Sequence, residues 1–387
     1  MKRAAGRLPF DRIALMLQGG GALGAYQGGV YQALAEAGIH PTWVAGISIG
    51  SLNAAIIAGN APESRVDALR AFWDYITSAS LVDPLGDFAR LVVGGDAGRR
   101  LADQMSAGSA LVSGITGFFK PRIPPPAFQP AGSSGALSYY DTSSLLGTLE
   151  RFVDFDRINA GGMRLSAGAV NVRTGNFIYF DSTTRKIGPE HIMASAALPP
   201  GFPPIEIEGE HYWDGGLVSN TPLQWVLQFG PREDTLAFEV DLWSSQGRFP
   251  RSIMEVATRE KEIQFSSRTR DNTDRFGEVQ RIRHSVARLI AQLPPKMRDN
   301  ADVKSLNAYA DRKVYNIVHL IYRTKRYEGD SKDYEFSQSS MNDHWKAGYY
   351  DTVRTLRHPE ILKKPDNPDG LAIFDFATHE TAELDDA

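Results

Sequence analysis

The sequence predicts an α/β sandwich built on a mostly parallel central sheet. Twice within the first sixty residues an apolar strand runs into glycine and then into a helix, which is the signature of parallel β–α units. The first unit is Ile13 to Leu17, Gln18 and the glycines from Gly19, then a helix over 25–37 with Tyr26, Val30, Leu34 and Ala37 at three- and four-residue spacing, stopped at Gly38. The second is Trp43 to Ile47 followed by a helix from Ser48 to Ala58, stopped at Gly59.

The elements that follow are consistent with that class. Val66, Leu69, Phe72 and Ile76 give an amphipathic helix over 64–78. Between about 80 and 138 the periodicity breaks into Gly-, Ser- and Pro-rich pieces with apolar islands, read as an irregular lid or interfacial insert. Leu165–Val172 and Asn176–Phe180 flank Arg173-Thr174-Gly175 as a hairpin, and Leu236–Leu242 is a further strand. These readings place a catalytic domain at 11–243. A charged, mainly helical extension packing on it follows over 244–376, with Asn316–Tyr322 apolar enough for a last strand. An acidic tail closes the chain at 377–387.

Composition limits the function classes. Of 387 residues, 42% are hydrophobic and 23% charged, enough to form a packed core. The net charge of −4 gives no case for nucleic-acid binding. The chain has no cysteine, which excludes disulfides, thiolate catalysis and Cys-based zinc sites. Neither a signal peptide nor a run of roughly 18–20 apolar residues is present, so the expected location is cytoplasmic with surface contact to membranes at most.

Three motifs carry chemistry. Gly46-Ile47-Ser48-Ile49-Gly50 is a G-x-S-x-G between a strand and a helix. A serine on so sharp a turn needs flanking glycines, and the turn presents its hydroxyl at a helix N-terminus where developing negative charge is favoured. Taken alone, the same residues also describe a helix N-cap serine between turn glycines. Gly19-Gly20-Gly21-Ala22-Leu23-Gly24 also fits the dinucleotide pattern, but no acid stands near the end of the next strand, as a ribose contact requires. Its other use is an oxyanion hole of bare backbone N–H groups. Asp214-Gly215-Gly216 is on its own an ordinary Asp-Gly turn; beside a nucleophile elbow and a donor loop it supplies the missing base.

In this order the three motifs resemble the patatin-like phospholipase family. The matching stretches are Leu17 to Ala25, Gly46 to Gly50 and Tyr212 to Gly216, with the Ser195–Pro204 loop similar to the segment before the family's aspartate. The resemblance covers roughly residues 11–243. It implies a three-layer α/β sandwich and a Ser–Asp dyad without histidine. By that resemblance Ser48 is nucleophile, Asp214 is base, and the backbone of Gly19, Gly20, Gly21 and Ala22 forms the oxyanion hole. Many members carry Arg or Lys where this chain has Leu23. The region after about 245 resembles an extension of unknown function on some bacterial members.

The expected reaction is hydrolysis of lipid acyl esters of phospholipase A or lysophospholipase type through an acyl-enzyme, with no cofactor and no metal. A carboxylate near its usual pKa of about 4 is a poor base for serine at neutral pH, so Asp214 must be desolvated or hold the hydroxyl in a short hydrogen bond. The alternatives are a soluble esterase or thioesterase on short acyl or hydroxyacyl oligomers, and a catalytically silent scaffold. A Ser–Asp–His triad is the rival mechanism, with His284, His319, His344, His358 and His379 all after Asp214. Phe118 and Phe119, beside Lys120 and Arg122, are the expected membrane or substrate contact. Oligomeric state is not indicated.

Overall fold

A computed structural model describes residues 8–78, 106–229, 232–247, 249–266, 269–323 and 332–376. Most of the 80–138 insert's first half and the acidic tail lie outside these residues. Its strands are β1 (Arg12–Leu17), β2 (Trp43–Ile47), β3 (Lys120–Pro121), β4 (Tyr140–Asp141), β5 (Arg164–Asn171), β6 (Phe177–Asp181), β7 (Ile205–Ile207), β8 (Glu210–Asp214), β9 (Thr235–Asp241), β10 (Tyr315–Ile321) and β11 (Leu371–Phe374). The main sheet runs β11-β10-β9-β1-β2-β5-β8-β7, with β6 also paired to β5; β3 and β4 form a separate ribbon.

From β11 to β5 every pairing is parallel. β5 then pairs antiparallel with both β6 and β8. The parallel strands need cover on both faces, and the sequence supplies it. Helices α1 (Ala25–Glu36), α2 (Ile49–Ala58) and α3 (Arg65–Thr77) pack with Leu15, Leu17, Val44 and Phe238 on one face. On the other face, Leu223 and Val226 from the helix Leu223–Gln228 and Phe276 from the long helix Thr269–Gln292 cover Ala14, Met16, Ala45 and Ala237. These are the three layers.

The sheet does not end at residue 243. β10 and β11 extend it beyond β9, and the helix Gln338–Thr355 joins α1 through Met341 and Trp345 in the same core. The region after 244 is largely helical, yet two of its segments are strands of the central sheet.

One expectation about the insert is corrected. Phe118 and Phe119 are buried, not exposed. Phe119 lies against Tyr140 and Phe202 with ring centroids at 4.8 and 5.1 Å, and Phe118 meets Phe202 edge-on at 6.0 Å. Edge-to-face packing on the loop before Asp214 gives these rings more than water would. Ile123 (92% exposed) and Phe128 (78%) are exposed in this segment, as are Leu111, Val112 and Leu137.

Candidate active site

Ser48 sits between β2 and α2 with φ +53° and ψ −127°, a backbone that side-chain-bearing residues rarely adopt. Its two flanking glycines make this turn possible. A Cβ on Gly46 would stand 2.2 Å from the Gly50 carbonyl oxygen, and one on Gly50 would stand 2.2 Å from that of Leu17. The turn is clamped from outside. The Ser48 N–H donates to Ser195 Oγ at 3.2 Å, and the Ser195 hydroxyl donates to the Gly168 carbonyl at 2.7 Å. The Ser51 amide and hydroxyl donate to the Ser48 carbonyl at 2.8 and 2.6 Å.

Asp214 ends β8 and is buried, with 1% of its surface exposed. The Gly216 N–H donates to Oδ1 at 2.7 Å, and the Ser48 side chain lies near enough to favour the charged carboxylate. Burial pushes its pKa up from the ordinary 3.8 to about 7, against the opposing pull of the Gly216 amide and the Ser48 hydroxyl. A carboxylate held near neutrality has the basicity that proton abstraction at pH 7 requires.

The glycine turn follows β1 directly. Of the four amides expected to act as donors, two are already engaged: Gly19 donates to the Asn220 carbonyl at 3.3 Å and Ala22 to the Asp333 carbonyl at 2.8 Å. The N–H groups of Gly20 and Gly21 have no hydrogen-bond partner among the described residues. Gly21 has φ +55°, and a Cβ there would lie 2.0 Å from the Asp333 oxygen, so only glycine allows this close approach. Leu23 is fully buried in the core next to this turn. A cation in that packing would go unpaired at high cost.

Side chains from outside the glycine turn hold it in place. Asn220 Nδ2 donates to the Gly19 carbonyl at 3.0 Å and to the Phe265 carbonyl at 2.9 Å. Gln18 Oε1 accepts from the Leu242 and Trp243 amides at 2.6 and 2.9 Å, while its Nε2 donates to Thr221 Oγ1 at 3.0 Å. Trp243 Nε1 donates to the Gly19 carbonyl at 3.0 Å. Phe265 and Asp333 both belong to the region after 244, so that region contributes backbone acceptors to the support of the site.

A model for the family described as patatin-like phospholipase matches residues 15–226, more than half of the chain. The chain belongs to the patatin-like phospholipase family. A second model, described as patatin phospholipase, matches residues 263–368. No curated protein matches. Among solved structures, VipD from Legionella pneumophila is similar at 17% identity and a TM-score of 0.40, over 100% of this chain and 76% of that one. A chain of the full-length SpcU–ExoU complex from Pseudomonas aeruginosa is similar at 16% identity and a TM-score of 0.25, over 77% of this chain and 61% of that one. No helix among the described residues is long and apolar enough to cross a membrane.

In this patatin-like chain, no histidine among the described residues hydrogen-bonds Ser48 or Asp214. His319 lies on β10 with Nδ1 3.1 Å from Glu239 Oε2; burial opposes its charge, but Glu239 prevails and raises the imidazole to about 9. His284 Nε2 lies 2.9 Å from the Lys313 carbonyl oxygen. His344 packs edge-on against Tyr322, and His358 stacks on Phe376. His211 precedes Asp214 by three residues of β8, which puts its side chain on the opposite face. His379 lies outside the described residues.

Ser195 and Asn220 could be located only in part from the sequence. Ser195 falls in a small-residue helix end and Asn220 follows the Asp-Gly-Gly turn. Neither residue type nor spacing distinguishes them from ordinary loop residues. Their roles come from contacts with residues 147 and 201 positions away.

Proposed function

We propose that this chain hydrolyses carboxylic acyl esters of lipids, of phospholipase A or lysophospholipase type, with Ser48 as nucleophile and Asp214 as its base. The observation that carries the reading is the placing of the Ser48 side chain beside the buried Asp214 carboxylate, which burial holds at about 7. At such a value the carboxylate is available as a base near neutrality and can give the proton back within the same cycle.

Asp214 takes the hydroxyl proton as Ser48 Oγ attacks the ester carbonyl carbon. The oxygen gains negative charge beside the Gly20 and Gly21 amides and the N-terminus of α2, where donors fixed before reaction are worth about 2.7–4 kcal/mol each. Collapse expels the alcohol fragment, which leaves with the proton from Asp214, and an acyl-Ser48 ester forms. Water then attacks that ester and gives its proton to Asp214. The fatty acid departs and Ser48 recovers its hydrogen.

Ile123 and Phe128 support access from a lipid surface. Both are exposed, and Ile123 follows the basic Lys120 and Arg122. Their segment is tied to the loop before Asp214, since Tyr139 and Tyr140 donate to the Pro200 and Gly201 carbonyls at 3.1 and 2.9 Å. An apolar tip with basic flanks is the composition of an interfacial contact.

The test is covalent labelling by a fluorophosphonate, with the adduct located by peptide mass spectrometry. The expected adduct is on Ser48, forming more slowly in Asp214→Asn. An adduct on another serine, or none on folded protein, contradicts the proposal.

A further inference from the structure

The face of the sheet away from α1 carries a second polar cluster, apart from the Ser48–Asp214 pair. Glu239 and Asp241 alternate along β9, so both point to the side covered by the helix Thr269–Gln292. His319 on β10 is the register partner of Glu239 and points the same way. One ligand atom from each of the three lies within 4.8 Å of the others, and all three residues are buried.

Within the cluster, the Glu239 carboxylate is short of hydrogen-bond donors. Glu239 has no exposed surface, and neither of its carboxylate oxygens has a hydrogen-bond partner. Its one ion-pair contact among the described residues is His319 Nδ1 at 3.1 Å, which itself lacks hydrogen-bond alignment. Asp241 and Asp375 add further negative charge around that imidazole. A buried carboxylate without donors is costly, and the usual remedies are a paired cation or a bound metal. Ligands about 2.1 Å from one ion lie at most about 4.2 Å apart, so small side-chain rotations would bring these three to a common centre.

From this geometry we propose that Glu239, Asp241 and His319 bind a divalent first-row transition metal, Zn²⁺ or Mn²⁺. Two carboxylates and one imidazole are the mixed oxygen–nitrogen set such ions take. The ion would be structural. Asp241 also meets Thr221 Oγ1 at 3.5 Å, and Thr221 accepts from Gln18, which leads into the glycine turn. A metal there would cross-link β9 and β10 and brace the loop carrying Asn220. The inference does not depend on the chemistry proposed for Ser48.

The test uses full-length, tag-free protein, stripped with a chelator and titrated with Zn²⁺ and Mn²⁺ by calorimetry. The expected result is one equivalent bound per chain with a rise in melting temperature. Glu239→Gln and His319→Gln should each bind at least tenfold more weakly and lose the thermal rise. Mn²⁺-loaded wild type should show coupling to one imidazole nitrogen in pulsed electron paramagnetic resonance, a reading that needs no variant to fold. No stoichiometric binding of either ion by wild type overturns the proposal. So does binding unchanged in a folded variant, or Mn²⁺ without a nitrogen ligand.

Discussion

Asn220 Nδ2 donates to the Gly19 carbonyl at 3.0 Å, tying the loop after Asp214 to the glycine turn beside Ser48. A Cβ on Gly19 would lie 2.3 Å from Asn220 Oδ1 and 3.1 Å from the Cβ of Ser48, so no side chain fits between them. Asn220 is a positioning residue. Asn220→Ala removes the hydrogen bonds to the Gly19 and Phe265 carbonyls, each worth about 1–3 kcal/mol when a buried partner is left behind. The expected outcome is a fall in kcat of about 10- to 100-fold with KM little changed, read from steady-state kinetics on a lysophospholipid.

The raised pKa of Asp214 sets a pH dependence. The base works only as carboxylate, so kcat should fall below about pH 7 with a slope of one. Stability moves the opposite way. A carboxyl whose folded pKa lies above its unfolded value holds more protons when folded between those two values, so stability is lost as pH rises from about 4 to about 7. The interval from 3.8 to about 7 corresponds to a cost on the order of 4 kcal/mol above pH 7. Asp214→Asn should therefore melt above wild type at pH 8, with the gap closing by pH 4. Calorimetric scans across that range check it.

The glycines divide by what a side chain would meet. Gly50→Ala sets a methyl against the Leu17 carbonyl and should cost several kcal/mol, leaving little folded protein. Gly147 lies within the helix Ser143–Phe152, and a Cβ there meets nothing within 4 Å. Gly147→Ala should add about 0.4–1 kcal/mol, read as a higher urea midpoint.

Buried and exposed apolar residues of the insert should separate just as clearly. Phe118→Asp puts a charge among Phe119, Phe202 and Phe336 and should unfold the site. Ile123→Asp with Phe128→Asp should leave folding and turnover of a soluble short ester unchanged while weakening sedimentation with vesicles. Equal vesicle binding would remove the interfacial role.

Much of this was legible because it is local. The strand–glycine–helix units, the elbow at Ser48 and the Asp214 turn are each written in five or six consecutive residues, and β1, β2, α2 and α3 fall where their periodicity puts them. The desolvation that a carboxylate base needs is deducible as a requirement; the packing that buries Asp214 is not. Phe118 and Phe119 were legible as apolar, but exposure depends on where Phe202 lies, some 80 residues on. Ser195 and Asn220 act through backbone contacts across the fold, and nothing in a loop serine or asparagine signals that. Nor does spacing join Glu239 to His319; only the β9–β10 register does.

Fatty-acid release from a lipid panel, followed by mass spectrometry for wild type, Ser48→Ala and Asp214→Asn, decides whether the buried pair is the catalyst. Wild type should release free fatty acid, and each folded variant should lose at least about a thousandfold of that rate, as removal of a nucleophile or its base does elsewhere. Fatty-acid release persisting in folded Ser48→Ala at a rate near wild type would contradict it.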